Sequence, residues 1–75
     1  MTFEETFCMI MEQDELPDNF DKLEIGEITE WDSLANMLFL MELEKNFSIR
    51  FSMDEMSELT SIKSIQGKLA ELVKN

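Results

Sequence analysis

Apolar residues along this 75-residue chain fall into four periodic stretches separated by polar or broken ones. Phe3, Phe7, Ile10 and Met11 recur at i, i+4, i+7 and i+8, the spacing of one helical stripe, and predict a first helix from Thr2 to about Gln13. Thr2 with Glu5 three residues later fits a reciprocal capping box at its start. From Asp14 to Trp31 the periodicity fails. Pro17 and Gly26 punctuate this stretch, and acidic residues alternate irregularly with Phe20, Leu23, Ile25 and Ile28. It reads as a long connection pinned by apolar anchors, and a loop of that length in a small domain is generally functional or spans distant elements.

The strongest pattern follows. Between Ser33 and Phe47, the residues Leu34, Met37, Leu38, Leu40, Met41, Leu43 and Phe47 cover more than one face of a helix, so more apolar surface is present than a single core contact requires. Asp32 and Ser33 both suit the start of this helix, since their oxygens accept from unpaired first-turn N–H groups. A short helix is predicted within Ser52 to Leu59, opened by Ser52 and Asp54. Thr60 or Ser61 then caps a last helix with Ile62, Ile65, Leu69 and Leu72 in register, with Lys68 and Lys74 near its negative pole and Gly67 inside it at a cost of about 1 kcal/mol relative to Ala. The expected fold is all-α: a four-helix bundle of three principal helices and one short helix, with a long loop between helices 1 and 2, forming one domain over residues 1–75.

Charge narrows the functions available. Seventeen acidic and six basic residues leave a net charge of −11, which disfavours nucleic acid as a partner because phosphate contacts need a basic face. Residues 1–30 hold ten acids and one base, and residues 31–75 seven acids and five bases. The net charges are thus −9 and −2, and the acidic surface suits basic patches on partner proteins. His and Tyr are absent and Cys8 is alone, so a zinc cluster, a disulfide framework and a His-dependent catalytic pair cannot be built from this chain. Cys8, between Phe7 and Met9, reads as a small half-buried apolar residue. The longest apolar runs, Phe7 to Met11 and Met37 to Met41, fall far short of the ~20 residues that span a bilayer. Glu4 and Glu5 stand where a signal peptide carries cations. The expectation is a cytoplasmic monomer with no membrane insertion.

Trp31-Asp32-Ser33-Leu34 lies at the predicted loop-to-helix junction, and here the chain resembles acyl carrier proteins, whose D-S-L motif opens the second helix of a four-helix bundle. Leu43-Glu44-x-x-Phe47-x-Ile49 is similar to the family's L-E-x-x-F-x-I ending of that helix, and Leu59-Thr60-Ser61-Ile62 to its approach to the final helix, with no gaps between Asp32 and Ile62. The resemblance is close over the C-terminal 45 residues and covers the first 31 only in length, acidity and layout. It implies that Ser33 bears a 4′-phosphopantetheine arm, that Asp32 helps an external phosphopantetheinyl transferase hold its magnesium ion, and that the arm carries acyl or aminoacyl groups as thioesters to acyl-activating, acyltransferase or synthase enzymes. The chain would then be a carrier and not a catalyst, with Leu34, Met37, Leu38, Met41, Glu42 and Glu44 as its docking set. The position suits the chemistry, since a phosphodiester on Ser33 Oγ would sit at the positive end of a helix macrodipole, and a serine without a neighbouring base is a poor nucleophile that needs an external enzyme.

Two features depart from the family pattern. Leu38 stands where many members carry an acid, and Lys45 where another is frequent, so recognition through this helix is expected to be more apolar than in fatty-acid carriers. Trp31 replaces a small residue, and the Gly-Gly-x-Ser pattern of peptidyl carriers is missing, which points to a stand-alone carrier of a specialised pathway. Two alternatives belong to other classes. A calcium-sensor lobe matches the composition, yet placing Gly26 at position 6 of a binding loop puts Leu23 and Ile25 at ligand positions. An acidic helical interaction module without a prosthetic group would leave Ser33 as a plain helix cap.

Overall fold

The structure, a computed structural model, describes residues 2–73 and contains four α-helices: α1 (Phe3–Met11), α2 (Ser33–Phe47), α3 (Met53–Glu58) and α4 (Ile62–Val73). No strand occurs among the described residues; the only ladder-like pairing there is an isolated antiparallel bridge between Glu24 and Ser61. The radius of gyration, 11.4 Å, equals the ~11 Å expected of a packed chain of this length.

Local chemistry places the helix ends. Thr2 Oγ1 accepts from the Glu5 N–H while the Glu5 carboxylate accepts from the Thr2 N–H, the predicted capping box. Ser52 and Glu55 make the same reciprocal pair at α3. At α4 the cap is Ser61, whose Oγ accepts from the Ser64 N–H at 3.1 Å. α1 ends two residues before the predicted Gln13, because Glu12 turns left-handed (φ 56°); Ser48 does the same after α2 (φ 55°). Lys68 is turned away from the expected role at the end of α4 and pairs with Glu55 of α3 and with Glu71. Lys74 lies outside the described residues.

The core is built around aromatic rings. Phe7 of α1 meets Phe20, Trp31 and Phe39 edge-on, at centroid distances of 5.0, 5.4 and 5.4 Å, and Phe3 adds edge contacts with Phe20 and Phe39. Edge-to-face pairs of this kind contribute about 0.5–1.5 kcal/mol beyond their buried area. The long connection supplies two of these rings. It is not structureless: a single 3-10 turn at Phe20–Lys22 buries Phe20, Leu23 is buried behind it, and Ile25 and Ile28 pack against the core. The stripes of α2 and α4 complete the interior with Phe39, Leu40, Leu43, Ile62, Ile65 and Leu69. Cys8 is half-buried. No helix among the described residues is long and apolar enough to cross a membrane.

Candidate functional site

The loop-to-helix junction at Trp31–Ser33 is held by a dense set of backbone bonds. Gly26, at φ 91°, donates its N–H to the Trp31 carbonyl at 2.8 Å, and the Trp31 N–H reaches the Ile28 carbonyl. Glycine, without a Cβ, takes this positive φ at no steric cost. Upstream, the loop is laced to the α3–α4 connection: Ile25 N–H donates to the Thr60 carbonyl at 2.7 Å and Ile62 N–H to the Leu23 carbonyl at 2.9 Å. The chain therefore arrives at Asp32 along a fixed path.

Asp32 is the N-cap of α2. It has extended backbone (φ −105°, ψ −172°), its Oδ1 accepts from the Ala35 N–H at 2.8 Å, and its carbonyl takes the Asn36 N–H at 2.9 Å. Ser33 is the first residue of the helix and is exposed. Its Oγ has no hydrogen-bond partner among the described residues, so capping falls to Asp32 and leaves the Ser33 hydroxyl uncommitted. The N–H groups of Ser33 and Leu34 precede the first intrahelical bond and escape the Asp32 cap, which makes the junction an anion-favouring helix end. The chain has no histidine to activate the hydroxyl, and a serine without such a base is a poor nucleophile.

A cavity of about 140 Å³ opens beside Ser33. Its walls are Ile25 from the loop, Ser33, Asn36 and Met37 from α2, Met56 and Ser57 from α3, and Thr60. A larger apolar cleft of about 300 Å³, between Phe3, Phe47, Leu69 and Val73, lies at the far end of α2, some 20 Å away at ~1.5 Å per helical residue.

The predicted docking residues separate into three groups. Leu34, Leu38 and Met41 are 71%, 48% and 53% exposed, and their 4-then-3 spacing makes one outward stripe on α2. Met37 is half-buried in the cavity wall. Glu42 is half-buried, and Glu44 turns away from the stripe to accept the Phe51 N–H at 2.8 Å, tying the end of α2 to the following connection. Asn36, not singled out from the sequence, also frames the site, together with Trp31. Trp31 is fully buried and donates its indole N–H to Asn36 Oδ1 at 3.0 Å, and Asn36 Nδ2 donates to the Leu59 carbonyl at 2.9 Å. A lone tryptophan in a polar loop, five residues before an asparagine within a hydrophobic helix, was the available signal.

Electrostatic perturbation lies elsewhere. The Lys68 ammonium and the Ser52 N–H hold Glu55 below its ordinary range, and Glu55 in turn raises Lys68. The Thr2 N–H and hydroxyl lower Glu5. Among the described residues no cluster of three His, Cys, Asp or Glu side chains is placed to hold a metal ion. Compared with family models, curated proteins and solved structures, the chain has no significant match.

Proposed function

We propose that this protein is an acyl carrier protein: Ser33 takes a 4′-phosphopantetheine arm from a phosphopantetheinyl transferase, and the arm carries acyl or aminoacyl groups as thioesters between the enzymes of a fatty-acid, polyketide or other specialised pathway. In this reading the four helices form the carrier-type four-helix bundle, the protein acts as a cytoplasmic monomer, and the enzymes it visits supply all catalysis.

The observation that carries the proposal is the state of Ser33. In the resemblance read from Trp31 to Ile62, the serine of D-S-L is the attachment point; in the structure it is exposed, first in its helix, released from capping by Asp32, and beside a cavity. The residues present fit the group. Unpaired N–H groups at the start of α2 offer partners to a phosphodiester on Ser33 Oγ, and the thiol at the arm's end supplies the thioester chemistry that a chain with one half-buried cysteine lacks. Asp32, with one carboxylate oxygen on the Ala35 N–H, is exposed to the transferase. The stripe of Leu34, Leu38 and Met41 beside the attachment point offers an apolar docking face, and its unbranched Met41 can re-pack against different partners.

Incubation with coenzyme A and a broad-specificity phosphopantetheinyl transferase, followed by intact mass measurement, is the test. One phosphopantetheine adduct is expected on the protein and none on Ser33→Ala. An unmodified protein, or an adduct that persists in Ser33→Ala, refutes the assignment.

A further inference from the structure

The bonds around Ser33 converge on a single side chain. Asn36 is one of two buried polar residues among those described, the other being Thr6, and burying an amide is unfavourable unless both of its ends are paired. Both are. Its Oδ1 takes the Trp31 indole N–H and its Nδ2 donates to the Leu59 carbonyl. The orientation of the amide is forced, because an indole nitrogen only donates and a carbonyl only accepts. One side chain in the first turn of α2 thus joins the loop that delivers Ser33 to the C-terminal end of α3.

The connection after α3 is bonded to the loop through Thr60 and Ile62, and Asn36 adds a tie from α2. A six-residue helix has no independent stability, and α3 is anchored by Met56, Leu59 and the Glu55–Lys68 pair. Met56 and Ser57 also line the cavity beside Ser33, as does Asn36 itself. An apolar side chain at position 36 would pack without demanding two partners; the amide specifies one arrangement.

We propose that Asn36 is a positioning residue for modification of Ser33: by clamping Trp31 and Leu59 to the first turn of α2, it holds the Ser33 hydroxyl, the Asp32 cap and the α3 wall of the adjoining cavity in the arrangement the transferase works on. The inference rests on the carrier reading for its consequence and on the hydrogen bonds for its structural half, and the two are tested separately.

Asn36→Leu removes both bonds, and Trp31→Phe removes only the indole one. Thr6→Val is the control, because it disturbs the other buried polar residue, whose hydroxyl serves Thr2 and Asn46. Loading by coenzyme A and the transferase is measured at a temperature where circular dichroism shows each variant folded. Asn36→Leu should lower kcat at least tenfold with KM within about twofold, because the stripe of Leu34, Leu38 and Met41 is untouched. Trp31→Phe should lower kcat less and add little when combined with Asn36→Leu; Thr6→Val should leave kcat unchanged. Hydrogen exchange supplies the second reading: the amides of Met56 and Leu59, bonded to Ser52 and Glu55, should exchange at least tenfold faster in Asn36→Leu, with Ile65 of α4 little changed. Unchanged exchange in α3, or a kcat equal to that of the unsubstituted protein, overturns the proposal. If Asn36→Leu does not fold, Trp31→Phe decides by its loading kcat, and a value equal to that of the unsubstituted protein overturns the proposal. An unsubstituted protein that accepts no arm refutes the carrier reading instead, and the exchange result then decides the clamp by itself.

Discussion

The two faces of α2 are both apolar and do different things. The inner face buries Phe39, Leu40 and Leu43 completely, with Phe39 against the rings of Phe3 and Phe7 in α1. The outer face leaves Leu34, Leu38 and Met41 exposed over about half or more of their surface. Core packing therefore accounts for only part of the helix's hydrophobicity. A stripe of three large apolar side chains left this exposed, next to an uncommitted serine, is not explained by core packing; in the proposed carrier function it is the docking face.

The largest effect that would sharpen this contrast is on the inner side. Phe39→Ala should destabilise the fold by about 3–5 kcal/mol, a large share of the ~4–11 kcal/mol available to a domain of this size. Chemical denaturation measures it, and a loss below about 1 kcal/mol would show that the aromatic cluster is not the core. Leu34→Ala and Met41→Ala should behave oppositely, with stability changed by no more than about 0.5 kcal/mol and affinity for the transferase or a cognate enzyme weakened by about 1 kcal/mol or more. Equal stability losses on the two faces would break the comparison.

At the N-terminal end where the faces meet, Asp32→Ala removes the cap and should cost about 1 kcal/mol of stability while slowing loading of Ser33 by a larger factor. Parallel losses in melting and loading would reduce Asp32 to a cap. The smallest effect lies away from α2. Glu55 is held below its ordinary value of 4.5, chiefly by Lys68, and Lys68 above its ordinary 10.5 by Glu55. A depressed carboxyl stabilises the fold above its unfolded pKa and loses that contribution as pH falls through the folded one. A raised ammonium stabilises below its unfolded pKa and loses its contribution as pH climbs past the folded one. The stability gap between the unsubstituted protein and Glu55→Gln should therefore be flat from about pH 5 to pH 10 and close on both sides. Screening keeps it small, since both side chains are partly exposed; a gap that widens in acid would contradict the ion pair.

Folding chemistry that acts within one or two turns was legible in the chain itself. The Thr2–Glu5 box, the span Ser33–Phe47 and the stripe of α4 depend on residues three or four apart, and each lies where periodicity and capping put it. The candidate serine was legible for the same reason, because the residues that resemble a carrier motif are contiguous. Tertiary structure decided the rest. α2 is apolar on more than one side, so its own pattern could not say which face was inner; that depended on where Phe3 and Phe7 arrived to cover Phe39. Glu44 was read as a docking acid, and the turn after α2 brought the Phe51 N–H to it. Trp31 marked a departure from a family pattern until burial and the Asn36 amide gave it a partner five residues on, and Asn36 met Leu59 across 23 residues. Bonds of that range exist only once the loop, α2 and α3 have packed. A sequence specifies the donors and acceptors; which of them end up dry and facing each other is settled by the fold.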